Sequence, residues 1–183
     1  MIDPLIGRAI SAAFALLLLL AAWHKVAARD GFVAALRDYG LLPEASVRPV
    51  ARLLPIFEAA LGLAWLTRFA PGTVALLTAA LLGVYAAAMA INLWRGRVHI
   101  GCGCGFGAAS GEDPPLSWWL VARNLLLGGV AIVAALPPIH RELGRLDWLT
   151  LVFALLASAV LFAGGSQLMR NRAAISSWRK PRD

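Results

Sequence analysis

The chain has 183 residues, of which 60% are hydrophobic and 15% are charged, and its formal net charge is +7. This composition is too apolar for a typical soluble domain and indicates an integral membrane protein. The positive charge does not indicate nucleic-acid binding, because the basic residues lie at the ends of apolar segments. At such positions they are expected to set the orientation of the spans and to contact lipid headgroups.

The apolar segments predict an all-α membrane bundle. About 20 apolar residues cross the hydrocarbon core of a bilayer, and five segments of the chain approach that length. A more polar segment follows the first of them, and its Phe32, Leu36 and Tyr39 recur at the spacing of an amphipathic helix at the membrane interface. We therefore predict a single membrane domain, residues 1–183, with spans at about 5–27, 50–69, 72–94, 116–136 and 146–169, a cysteine loop at 95–115 and a basic tail at 170–183.

The loop between the third and fourth spans contains both cysteines of the chain, Cys102 and Cys104. A disulfide between residues two apart requires the backbone to bend, and the glycines around the pair permit that bend. Such a bond is strained and therefore exchanges readily with other thiols. Arg95 and Arg97 are close enough in sequence to favour a thiolate. The pair is thus a candidate for thiol-disulfide oxidoreductase chemistry.

Two other interpretations of this loop remain open. One is a copper or zinc site formed by His99, Cys102 and Cys104, because thiolates suit both metals, although a closed zinc site requires a fourth ligand. The other is a non-catalytic scaffold that only holds a partner protein.

Polar residues within the spans converge on the membrane face that carries the cysteine loop. Because successive spans alternate in direction, the second and fourth spans both start at that face. Glu58 and Arg123 are seven to eight residues into these spans, so at roughly 1.5 Å per residue both lie about 10 Å below the face. Because a charge in the hydrocarbon region normally finds a partner, we predict that Glu58 and Arg123 pair directly or through one water. The other supporting candidates on this face are His24, Lys25, Asn92, Asn124, Arg95 and Arg97.

A combination of residues spread over about residues 20 to 135 is typical of one group of small membrane proteins. It comprises Lys25, Phe32 and Tyr39 before Leu41-Leu42-Pro43, Pro55, Glu58-x-x-x-Gly62, Asn92-Leu93-x-Arg95-Gly96-Arg97, Trp118-Trp119 and Arg123-Asn124. The combination resembles the MauE branch of the MauE/DoxX redox-associated membrane proteins. In that family the cysteines follow an aspartate, whereas this chain has Gly101 at that position and an additional Gly105 before Phe106.

The resemblance implies a four-helix DoxX-like core plus one further span in a bacterial inner (plasma) membrane. It also implies thiol-disulfide chemistry with a thioredoxin-like partner and a disulfide-containing substrate protein, as in methylamine dehydrogenase maturation. A quinone in the bundle is a candidate electron acceptor by analogy of fold alone. The expected partners are therefore these proteins and membrane lipid. We expect no nucleic-acid partner.

Two criteria predict opposite sides for the cysteine loop. Most of the 17 Lys and Arg residues lie on the loop's side of the predicted spans, and Lys and Arg are retained preferentially in the cytoplasm. The resemblance instead implies the periplasm, where disulfides persist.

Overall fold

The computed structural model describes residues 2–97 and 116–137, with individual residues and short stretches between 139 and 164. It contains α1 (Pro4–Ala27), α2 (Arg29–Tyr39), α3 (Glu44–Thr67), α4 (Pro71–Trp94) and α5 (Trp118–Val133). These helices belong to one compact unit, Met1–Arg141, and a second unit comprises Glu142–Asp183, in which residues 146–154 are helical. The all-α class predicted from the sequence is confirmed.

Three of the helices are long and apolar enough to cross a membrane, namely α1, α3 and α4, each of 24 residues. The apolar helix α5 is shorter, with 16 residues. The bounds of α1 and α4 follow the predicted spans closely, but α3 begins at Glu44, well before the predicted start near residue 50. An acidic residue in the first turn stabilises a helix through its dipole, which explains how this polar segment extends the helix beyond its apolar part.

Local sequence determines several helix ends. The Asp3 side chain accepts a hydrogen bond from the backbone N–H of Leu5 (2.8 Å), and Pro4 is the first residue of α1, where a missing N–H costs nothing. Gly40 ends α2 in the left-handed conformation, with φ of 59°, which glycine adopts without a steric penalty. The predicted amphipathic helix after the first span is therefore confirmed as α2.

The helices pack in two principal pairs, α1 with α3 and α4 with α5, while α2 packs on α3. At one end of the unit, the backbone of Ile2 exchanges hydrogen bonds with Pro137 (3.2 Å) and Ile139 (2.8 Å). At the other end, the Trp94 and Trp118 rings lie 5.9 Å apart. The two helices that flank the cysteine loop are thus held together where the loop leaves one and enters the other.

Two apolar clusters form the core of this unit. The larger one surrounds the stacked rings of Phe14 and Trp65, whose centroids are 5.2 Å apart. The smaller one lies toward the cysteine-loop end, where Met89 packs with Leu116 and Leu120, and Tyr39 of α2 packs against it. Tyr85 contacts both clusters, so the polar site described below lies between them.

Gly62 allows α1 and α3 to approach closely. A Cβ atom at Gly62 would lie 2.8 Å from Leu19 Cγ and 3.3 Å from the Ala15 carbonyl oxygen, whereas one at Gly83 of α4 would meet nothing within 4 Å. We expect Gly62→Ala to destabilise the protein by about 1–3 kcal/mol because the helices must separate. Gly83→Ala is the matched control, and thermal unfolding in detergent compares them. Equal stability of the two variants would contradict the close packing.

Candidate functional site

A buried ion pair joins α1 to α3 in the interior of the helical unit. Lys25 Nζ lies 2.7 Å from Glu58 Oε1 and 2.8 Å from Oε2. The residues are only 6% and 1% exposed. Lys25 lies in the last turn of α1, and Glu58 lies on the buried face of α3 with Leu61 and Trp65. The pair therefore links the two helices at a defined register.

Tyr85 of α4 also contacts Glu58. Its hydroxyl donates a hydrogen bond to Glu58 Oε1 at 2.6 Å. One carboxylate thus accepts hydrogen bonds from both an ammonium and a phenol, and such charge-assisted bonds are stronger than neutral ones. Without partners, a buried carboxylate or ammonium would be costly in an apolar interior.

The short helix α2 covers the Lys25 end of this site. The Lys25 ammonium lies 5.6 Å from the centroid of the Phe32 ring and 5.4 Å from that of Tyr85, within the range of a cation-π interaction. Phe32 is the buried residue of α2. Four helices therefore meet at one polar point, which we call the Lys25–Glu58–Tyr85 cluster.

The prediction that Glu58 pairs directly with Arg123 is wrong, because both carboxylate oxygens of Glu58 are bonded to Lys25 and one also to Tyr85. The physical reason is helix pairing: α3 packs mainly on α1, whereas α5 packs on α4. A Cβ at Gly128 would lie 3.7 Å from the Ala79 carbonyl oxygen. With antiparallel α4 and α5, this contact places Arg123 near the level of Tyr85 and hence of Glu58. The expected similarity of depth therefore holds although the direct pair does not, and pairing through one water stays a prediction.

Arg123, Asn92 and Asn124 differ in how many of their buried polar atoms form hydrogen bonds. Arg123 Nε is buried and has no hydrogen-bond partner among the described residues. Asn92 donates from Nδ2 to the Ala88 carbonyl (3.1 Å) and Asn124 to that of Leu120 (2.8 Å), each one turn earlier. Asn92 Oδ1 is also buried without a partner in that part of the chain. These side chains lie on the helices that flank the cysteine loop and not in the Lys25–Glu58–Tyr85 cluster.

The remaining predicted residues lie at the loop end of the unit. His24 is half-buried beside Lys25, and Arg95 follows α4 as its exposed C-cap. The Arg97 N–H donates to the Asn92 carbonyl (3.0 Å), and a Cβ at Gly40 would lie 3.0 Å from Arg97 Nη1. The start of the cysteine loop therefore lies against the C-terminal end of α2.

The proposed chemistry itself involves residues outside the described ranges, namely His99, Cys102 and Cys104. Among the residues that are described, no group of three or more His, Cys, Asp and Glu side chains could hold a metal ion. Both the redox and the metal interpretations of the loop therefore stay predictions.

Sequence reasoning missed Tyr85, although its spacing could have indicated it. Thr78, Tyr85 and Asn92 recur at seven-residue intervals in α4, and a separation of two turns keeps side chains on one face of a helix. The same face carries the hydrogen bond from Trp65 Nε1 to Thr78 Oγ1, at 2.9 Å. Thr78 and Tyr85 thus mark the face of α4 that contacts α3.

Comparisons with known proteins show which family this chain belongs to. The family model described as methylamine utilisation protein MauE matches residues 3–137. The chain is 38% identical to methylamine utilization protein MauE of Paracoccus denitrificans over 74% of this chain and 71% of that protein. It is 38% identical to the Paracoccus versutus protein of that name, over 87% and 83% of the two chains, and 32% identical to that of Methylorubrum extorquens, over 91% and 88%. No solved structure matches the chain. The chain belongs to the MauE family.

Proposed function

We propose that this protein is a multi-pass protein of a bacterial inner membrane that supports methylamine dehydrogenase maturation by thiol-disulfide exchange. Membership of the family named for methylamine utilisation supports a role in that maturation. The observation that carries the chemistry is that both cysteines of the chain lie in a single glycine-rich loop and are separated by one residue, Gly103. We further propose that α1, α3, α4 and α5 form a DoxX-like core and that the apolar segment after residue 146 adds a fifth span.

The proposed reaction is an exchange between two cysteine pairs. A thiolate of Cys102 or Cys104 attacks a disulfide of a thioredoxin-like partner, forming a mixed disulfide and releasing a partner thiolate. The second cysteine then attacks the mixed disulfide. Cys102 and Cys104 are oxidised to a disulfide while the partner disulfide is reduced to a dithiol, so two electrons and two protons pass to the partner. The reverse direction transfers oxidising equivalents from this protein to its partner or to the substrate protein.

The structure of the bundle supports the proposal through the way it anchors the loop. Arg97 is bonded to the end of α4, and the buried Leu116 begins the return into the core. The contact between Trp94 and Trp118 holds these two ends together. Because its two ends are held close together, the segment that carries Cys102 and Cys104 leaves and re-enters the bundle at one end of the helical unit.

A His99→Ala variant distinguishes exchange from metal binding. In the purified protein, we expect Cys102→Ser and Cys104→Ser each to abolish completed exchange with a thioredoxin-like protein, because each removes one of the two thiols. His99→Ala should leave the exchange rate nearly unchanged, since an imidazole is needed only as a third metal ligand. Exchange is measured by alkylation and mass shift. The proposal fails if the wild type binds copper or zinc stoichiometrically, loses the metal in His99→Ala and shows no exchange.

A further inference from the structure

A basic cleft of about 350 Å³ opens between α2 and the first turns of α3. We call it the arginine cleft. Its lining residues are Arg29, Asp30, Val33, Arg37, Arg48 and Arg52. Four arginines and one aspartate thus line a single space that has no role in the proposed thiol chemistry.

Among the described residues, the positive charge of the arginine cleft is only partly neutralised. Arg37 pairs with Glu44, with 2.7 Å between Arg37 Nη2 and Glu44 Oε1, and this contact bridges α2 and α3. Within the described ranges, Arg29, Arg48 and Arg52 form no ion pair, and neither does Asp30. Like charges held close together repel one another unless an anion binds between them. The cleft is therefore preorganised for an anion, and planar guanidinium groups suit phosphate oxygens in particular.

The position of the cleft on α3 indicates which kind of molecule carries that anion. Arg48, Arg52 and Ile56 are spaced four residues apart, so they follow one another along one side of the helix. Ile56 is 64% exposed and the neighbouring Leu53 is 65% exposed. In a helix long and apolar enough to cross a membrane, exposed apolar side chains face lipid. The last arginine of the cleft therefore lies where the lipid-facing surface begins, at the depth of the headgroups.

We propose that the arginine cleft binds the phosphate of an anionic phospholipid whose acyl chains lie along the surface formed by Leu53 and Ile56. Free inorganic phosphate shares the same charge chemistry but has no group to cover that apolar surface. The bound lipid would also bridge α2 to α3. Since α2 covers the Lys25–Glu58–Tyr85 cluster through Phe32, binding should stabilise the folded unit.

The test measures lipid binding to the full-length protein in a neutral detergent. Phosphatidylglycerol, phosphatidylcholine and inorganic phosphate are titrated separately, and the rise in the thermal unfolding midpoint is followed. We expect phosphatidylglycerol to raise the midpoint and the other two to leave it nearly unchanged. Arg48→Gln/Arg52→Gln should weaken phosphatidylglycerol binding about 25-fold, from roughly fivefold for each arginine. Arg68→Gln is the control, because it removes an exposed arginine from the opposite end of α3.

Other results overturn the proposal in distinct ways. Equal effects of phosphatidylcholine and phosphatidylglycerol would show that the charge of the headgroup is irrelevant. An equal effect of inorganic phosphate would assign the cleft to a free anion. Unchanged phosphatidylglycerol binding in the double variant would exclude the cleft. If that variant is unstable without lipid, Arg29→Gln on α2 provides the same comparison through a different helix, with a loss of about fivefold expected.

Discussion

Replacing Glu58 with glutamine is expected to destabilise the protein by about 3–5 kcal/mol, because the change leaves the Lys25 ammonium buried without its carboxylate. The loss should be large because Lys25 and Glu58 are 6% and 1% exposed and water cannot replace the lost partner. Tyr85→Phe removes only the phenol donor and should cost about 1.5–3 kcal/mol, the range for a hydrogen bond to a charged group.

The double variant Lys25→Met/Glu58→Gln tests whether the pair acts as a unit. Replacing both members leaves no charged group in the Lys25–Glu58–Tyr85 cluster, so the loss should be well below the sum of the losses in Lys25→Met and Glu58→Gln. The control is Arg37→Gln, which breaks an ion pair whose side chains are 42% and 68% exposed and should cost about 0–1 kcal/mol. Thermal or denaturant unfolding in detergent supplies these values. A loss in Glu58→Gln as small as that in Arg37→Gln would contradict the description of the cluster.

The helices of this protein could be predicted from its sequence because long apolar segments leave few alternatives. A backbone in hydrocarbon must satisfy its own hydrogen bonds, and a helix does so locally. Glycine and proline then mark the connections, as at Gly40 and Pro71, which bound α2 and α4. The early start of α3 was missed because hydropathy detects the apolar part of a helix and not its polar extension.

The partner of Glu58 could not be predicted by the same reasoning. Depth in the membrane follows from counting residues along a span, and Arg123 does lie near the expected level. The choice between Arg123 and Lys25 depends on which helix packs beside α3, which apolar segments of similar composition do not specify. Lys25 also lies at a helix end, where it would ordinarily reach the interface. It is buried here because α2 folds over that end and places Phe32 against it.

Loss of both thiols should abolish the proposed function. In cells that depend on this protein for growth on methylamine, we expect Cys102→Ser/Cys104→Ser to prevent accumulation of active methylamine dehydrogenase while the variant protein remains in the membrane. Serine cannot form a disulfide, and the replacement is small enough for the loop to retain its size. Gly83→Ala serves as a control for expression, because a Cβ there meets nothing within 4 Å. Normal enzyme levels in the double serine variant would instead favour the scaffold interpretation.

The redox state of Cys102 and Cys104 in intact cells tests the central claim most directly. Cells are treated with a membrane-impermeant maleimide before and after reduction, and the mass shift of the protein is measured. We predict a fraction with no label before reduction and with two labels afterwards, which would show a disulfide accessible from the periplasm. Labelling of both thiols without reduction in every growth condition would contradict redox cycling. Labelling only after the cells are permeabilised would contradict the periplasmic side that the family resemblance implies and would agree with the cytoplasmic side that the distribution of Lys and Arg predicts.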